Sequence, residues 1–113
     1  MYNQKVLSYL TQISEGDLIP EALLKESHHT GDHAQSIYLY YDQTSGMSYI
    51  RGLGSPYLLA MLKWLQIELN QGNKNTLHEY HIQTLVALFD IPVHKKQDAF
   101  MILEIIEQIL DAS

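Results

Sequence analysis

Ser36-Ile37-Tyr38-Leu39-Tyr40-Tyr41, then Asp42-Gln43-Thr44-Ser45-Gly46, then Met47-Ser48-Tyr49-Ile50-Arg51 is the stretch that decides the fold. Branched and aromatic side chains suit a pleated surface, and alternation puts Ile37, Leu39 and Tyr41 on one face, Tyr38 and Tyr40 on the other. The polar, glycine-containing segment between the two runs reads as a hairpin loop. A β-hairpin over about residues 34–51 is therefore expected, with helices covering one face. Core packing is the expectation for half of the eight tyrosines.

Working outward, Tyr2, Val6, Tyr9, Leu10 and Ile13 share a helical stripe, which predicts a helix over residues 2–13. Residues 14–33 are polar and broken by Gly16, Pro20 and Gly31; they read as a long connection with room for a short strand or a turn of helix. After the hairpin, Leu58, Met61, Leu62, Leu65 and Leu69 repeat at helical spacing behind Pro56 and stop at Gly72. Thr76-Leu77-His78-Glu79 has the form of a capping box and predicts a helix from there to about Phe89. Ala99, Ile102, Leu103, Ile106, Ile109 and Leu110 form a stripe on a final helix from about Lys95 to Asp111. The last stripe should pack on the helix carrying Leu58, Leu62 and Leu65. Strands first and helices after give an α+β domain with a small antiparallel sheet, one domain over residues 1–113.

Composition narrows the function. A net charge of −6 with only seven Lys and Arg supplies no clustered cations for phosphate, so nucleic-acid binding is not expected, and an acidic surface suits basic protein partners. No apolar run approaches the ~20 residues of a membrane helix, and Met1-Tyr2-Asn3-Gln4-Lys5 lacks the apolar stretch of a secretory signal; a soluble cytoplasmic protein is expected. The absence of cysteine removes disulfides, thiol nucleophiles and thiolate metal sites. Gly52-Leu53-Gly54-Ser55 is neither a nucleophile elbow nor a phosphate loop, because the further glycines, the lysine and a base near Ser55 are missing. A non-enzymatic role follows.

Three segments, Thr30-Gly31-Asp32, Gly52-Leu53-Gly54-Ser55 and Ile91-Pro92-Val93-His94-Lys95-Lys96-Gln97-Asp98, resemble in order and spacing the metal-binding segments of the NifU/IscU iron-sulfur cluster scaffold family. There they read roughly Cys-Gly-Asp, Gly-Cys-Gly-Ser and Leu-Pro-Pro-Val-Lys-Leu-His-Cys. Tyr2-Asn3-Gln4-Lys5-Val6-Leu7 is similar to the family's opening helix, and Asn70-Gln71-Gly72 falls where its first long helix closes. Tyr49-Ile50-Arg51-Gly52 also fits the SufE sulfur acceptors, which share the fold and depend on a cysteine absent here. The resemblance covers nearly the whole chain and implies the SufE/NifU fold and a place in iron-sulfur cluster assembly.

At the family's ligand positions the resemblance places Thr30 and Leu53 for two cysteines, Gln97 and Asp98 for the His-Cys pair, and retains Asp32. A cluster held without thiolates is not expected, so the chain reads as a binding or regulatory paralogue. The partners implied are a cysteine desulfurase or an Hsp70-type chaperone, the latter reading Pro92 and Lys95; the alternative for those two residues is a helix boundary. Two further readings stay open. Asp32, Asp98, His28, His29, His33 and His94 could bind Zn²⁺ or Fe²⁺ if the loop before the hairpin meets the start of the last helix, or those residues are a solvated loop and a first-turn acid. The fold could also serve an unrelated interaction.

Overall fold

The computed structural model describes residues 2–112. Its sheet has three antiparallel strands in sequence order: β1 (His28–Gly31), β2 (Ser36–Tyr41) and β3 (Ser48–Leu53). The predicted hairpin is β2–β3, with Tyr38 opposite Arg51 and Leu39 opposite Ile50. The third strand lies in the segment read as a connection. His28-His29-Thr30-Gly31 has no apolar alternation, and it is a strand because it pairs with β2, His29 opposite Tyr38 and Thr30 opposite Ile37.

These registers build two faces. One carries Thr30, Ile37 and Gly52 in a row, then His28, Leu39 and Ile50; Ile37, Leu39 and Ile50 are buried. The other carries His29, Tyr38 and Arg51, then Tyr40 and Tyr49, whose rings stack at 6.5 Å. The aliphatic set faces the helices. A Cβ at Gly52 would stand 2.9 Å from Leu59 and 3.2 Å from Leu62, so a glycine here lets β3 lie close on the helix beneath.

That helix, α2 (Pro56–Asn70), is the centre of the molecule. Ser55 caps it by accepting the Leu58 N–H at 3.2 Å, Pro56 fills its first turn, and Gly72 beyond it has φ +81°. The predicted stripe of Leu58, Met61, Leu62, Leu65 and Leu69 is buried, and so are Ala60 and Trp64, because neighbours surround α2. On one side lies α1 (Gln4–Thr11), on another the sheet, on a third α4 (Lys96–Asp111). From α4, Ala99, Ile102, Ile105, Ile106 and Ile109 enter the shared core.

The capping box at Thr76 does not form. Residues Lys74–Glu79 are a 3₁₀ turn in which the Thr76 hydroxyl donates to the Asn73 carbonyl at 2.8 Å, the chain extends at Tyr80, and α3 starts only at Ile82 and runs to Phe89. Tertiary packing overrides the local signal: Leu77 is fully buried, and Tyr80 meets Trp64 edge-on at 4.9 Å. Asp90 ends α3 in the left-handed region at φ 52°, which a short polar residue tolerates. Asn3 joins two elements, capping α1 through the Val6 N–H and donating to the Phe89 carbonyl at 2.8 Å.

The connection between α1 and β1 is pinned by charge. Lys63 on α2 is 7 % exposed, and its ammonium donates to Asp17 at 2.8 Å and to the Gln66 side chain at 2.9 Å. Gln66 in turn donates to the Ser48 carbonyl at 3.0 Å. Burial alone would raise the Asp17 carboxyl, but the Lys63 hydrogen bond, the Ser14 amide and the Lys63 charge outweigh it and hold the group below its ordinary value. A carboxyl depressed in the folded state contributes stability above its unfolded value and loses it as pH falls through the folded one. Denaturant midpoints should therefore fall as pH drops from about 5 to about 3. The Asp17→Asn variant should be less stable at neutral pH and flatter across that window. Parallel profiles for the two proteins would contradict the assignment.

Candidate functional site

At one end of the sheet the β1–β2 turn, the start of α2 and the first turn of α4 meet. Gly31 (φ +117°) opens the turn, and a Cβ there would lie 2.2 Å from the Gln35 carbonyl oxygen, so no other residue fits. Asp32 closes the turn upon itself. Its carboxyl accepts the amides of Ala34 at 2.8 Å and Gln35 at 3.1 Å, and its own N–H donates to the Gln35 carbonyl at 2.7 Å. The amides of Gln35 and Ala34 hold that carboxyl below its ordinary value against a small opposing effect of burial, with His33 assisting.

The turn delivers the Gln35 side chain inward. Its Nε2 donates to Asp98 Oδ1 at 2.9 Å and its Oε1 accepts the Ser55 N–H at 2.9 Å. Asp98, in the first turn of α4, is 2 % exposed, and its second oxygen accepts the Ser55 hydroxyl at 2.5 Å. A buried carboxyl is tolerated when its oxygens are hydrogen-bonded, and Asp98 has a donor on each. Gly54 makes room for this knot, since a Cβ there would stand 2.7 Å from Leu58 and 3.1 Å from the Gln35 oxygen.

Outside the knot lies a cavity of about 190 Å³, whose lining includes Thr30, Asp32, Gln35, Gln97, Met101 and Glu104. Thr30, 8 % exposed, donates its hydroxyl to Glu104 at 2.5 Å. The volume is below the several hundred Å³ of small-molecule sites. With two amides, a thioether, the Thr30 hydroxyl on the Glu104 carboxyl and the Asp32 carboxyl around it, the cavity offers hydrogen-bonding groups.

Of the sequence-derived site residues, Thr30, Asp32 and Gln97 share this cavity with Asp98 immediately behind it. The loop before the hairpin and the start of the last helix do meet. Leu53 stands apart, 62 % exposed on the row of Ser36. The histidines disperse. His28 points to the helix side, where burial holds its imidazole below the usual value while a contact with Gln108 pulls the other way. His29 stacks on Tyr38 at 4.3 Å, His33 is exposed in the turn, and His94 is exposed in the 3₁₀ turn Val93–Lys95, which Pro92 precedes. Lys95 is the residue before α4.

Among the described residues no three His, Asp or Glu side chains gather as a metal-ligand set. The set of Asp32, Asp98, His28, His29, His33 and His94 is dispersed for physical reasons: Asp98 spends both oxygens on Gln35 and Ser55, Asp32 faces its own turn, and His29 lies on the opposite side of the sheet from His28. The sequence reading had no signal for Gln35 or Glu104, whose partners lie 63 and 74 residues away. Ser55 was within reach, since Ser before Pro at a helix start is a capping signature.

Compared with known proteins, the chain matches no family model and no curated relative. The site therefore rests on its geometry. A ligand that bound a preformed site would raise the melting temperature by mass action; with the donors dispersed, Zn²⁺ or Fe²⁺ in excess should leave the melting temperature unchanged. A saturable rise that disappears in His33→Ala or Asp32→Ala would show that the residues regroup around a metal.

Proposed function

We propose that the protein is a cluster-free relative of the NifU/IscU scaffolds that acts by binding assembly proteins instead of holding an iron-sulfur cluster. The observation that carries this reading is the convergence of two of its three family-like segments on one small cavity: Thr30-Gly31-Asp32 and Gln97 line it and Asp98 lies behind it. Ser55, from the remaining segment, bonds Asp98. Segments far apart in the chain share a meeting point while every thiolate position holds Thr, Leu or Asp. Oxygen and amide groups hold this meeting point together, and the chemistry of a cluster has no thiolate to use.

A surface kept while its ligands are lost is suited to docking. The partner favoured is a cysteine desulfurase, with an Hsp70-type chaperone engaging Pro92 and Lys95 as the companion contact. Pro92 is half-buried and Val93 beside it is 82 % exposed, so the segment is presented to solvent at the entry to α4. The protein performs no reaction of its own in this account.

Two measurements test it together. Anaerobic incubation with iron and sulfide should leave the protein colourless, and a purified desulfurase or chaperone should bind it with a dissociation constant of about micromolar, corresponding to roughly 8 kcal/mol. A stable visible absorption band with stoichiometric acid-labile sulfide would overturn the cluster-free assignment. Failure to bind either partner would overturn the docking role.

A further inference from the structure

The face of α4 that points away from the core carries Lys96, Phe100 and Glu104 at successive four-residue steps, so the three lie along one ridge, about 12 Å from first to last. All three are exposed, Phe100 at 50 %. A half-exposed aromatic ring in the second turn of a helix, with a cation one turn before it and an anion one turn after, is self-complementary under a twofold rotation. An antiparallel copy centred on Phe100 sets Lys96 against Glu104 twice and ring against ring once.

The charge order along α4 leaves Lys96 and Glu104 poorly placed within their own helix. Lys95 and Lys96 stand at its start, and Glu104, Glu107 and Asp111 occupy its second half, with no basic residue in the last turn. This opposes the helix's own dipole, which favours anions at the N-terminus and cations at the C-terminus. The one acid in the first turn, Asp98, is buried in its hydrogen bonds to Gln35 and Ser55. Lys96 is in no ion pair among the described residues, and Glu104 uses one oxygen on Thr30 and keeps the other. An antiparallel second copy centred on Phe100 brings each Lys96 to the Glu104 of its neighbour.

We infer that this ridge of α4 is the contact surface of a homodimer, two copies of the chain packed antiparallel about Phe100 with reciprocal Lys96–Glu104 pairs. The inference goes beyond the proposed function and does not rest on it, because it involves no partner and no metal.

Sedimentation equilibrium of the full chain at low ionic strength, over a range of concentrations, tests it. The parent should dimerise and should dissociate as salt is raised. Lys96→Glu and Glu104→Lys should each be monomeric, with association weakened at least about tenfold. An equimolar mixture of the two variants should form a heterodimer, since each then meets opposite charges at both pairs. Circular dichroism melting checks that each variant is folded; should Glu104→Lys lose stability with its Thr30 contact, the double variant Lys96→Glu/Glu104→Lys, which restores both pairs between identical copies, replaces the mixture. A parent that stays monomeric at every concentration overturns the inference. So does a dimer that neither reversal weakens, or two reversed variants that fail to associate when mixed.

Discussion

Asp98 is the constraint on which this end of the structure depends. A carboxyl removed from water with no cation beside it costs several kcal/mol unless donors replace its hydration. The chain meets that requirement from two remote places, the Gln35 amide on the β1–β2 turn and the Ser55 hydroxyl at the head of α2. One side chain thus fixes the turn, the start of the central helix and the start of α4 relative to one another. The cavity beside it takes its shape from that agreement. The chain ties these three segments through hydrogen bonds, which are directional.

The same logic closes a sheet of only three strands. A small sheet exposes two unpaired edges, each a template for unwanted pairing. On the β1 edge the Gln108 side-chain amide of α4 acts as a surrogate strand, donating to the His29 carbonyl at 3.0 Å and accepting the His29 N–H at 3.3 Å. On the β3 edge Asn70 accepts the Ser48 N–H at 2.7 Å, and Ile19 donates to the Ile50 carbonyl at 3.1 Å. Side chains from α2 and α4 therefore guard the sheet they pack on, and loss of either helix would expose both core and edge at once.

What the sequence disclosed follows the range of the interactions involved. The β2–β3 hairpin, α2 and α4 were legible because their signals are local: alternation, a proline in a first turn, an apolar stripe at helical spacing. For the third strand the sequence left room, in residues 14–33, without marking its place, since His28-His29-Thr30-Gly31 becomes a strand only through β2 and Gln108. The start of α3 was misplaced by five residues for a related reason: Thr76 looked like a cap, yet the cap is His81 and burial of Leu77 bends the chain into a 3₁₀ turn. At the site, a meeting of the Asp32 loop with the start of α4 was considered only as a condition for a metal site, and the residues that accomplish it, Gln35 and Ser55, were not singled out for it. A polar side chain satisfied across 43 or 63 positions leaves no periodicity to read. The four tyrosines of the sheet divide as the register dictates, with Tyr38, Tyr40 and Tyr49 on the face away from α2 and Tyr41 on the face toward it.

The claim that the Asp98 knot couples the β1–β2 turn to α4 is tested most directly by a double-mutant cycle on Gln35 and Asp98. Denaturant unfolding of the parent, Gln35→Ala, Asp98→Ala and the double variant yields their coupling free energy. If the two side chains satisfy one another in a buried site, each single change strands its partner and the double change costs less than the sum, with a coupling of about 1.5 kcal/mol or more. Costs that add to within about 0.5 kcal/mol would show that the two residues act independently and that the site is held together by something else.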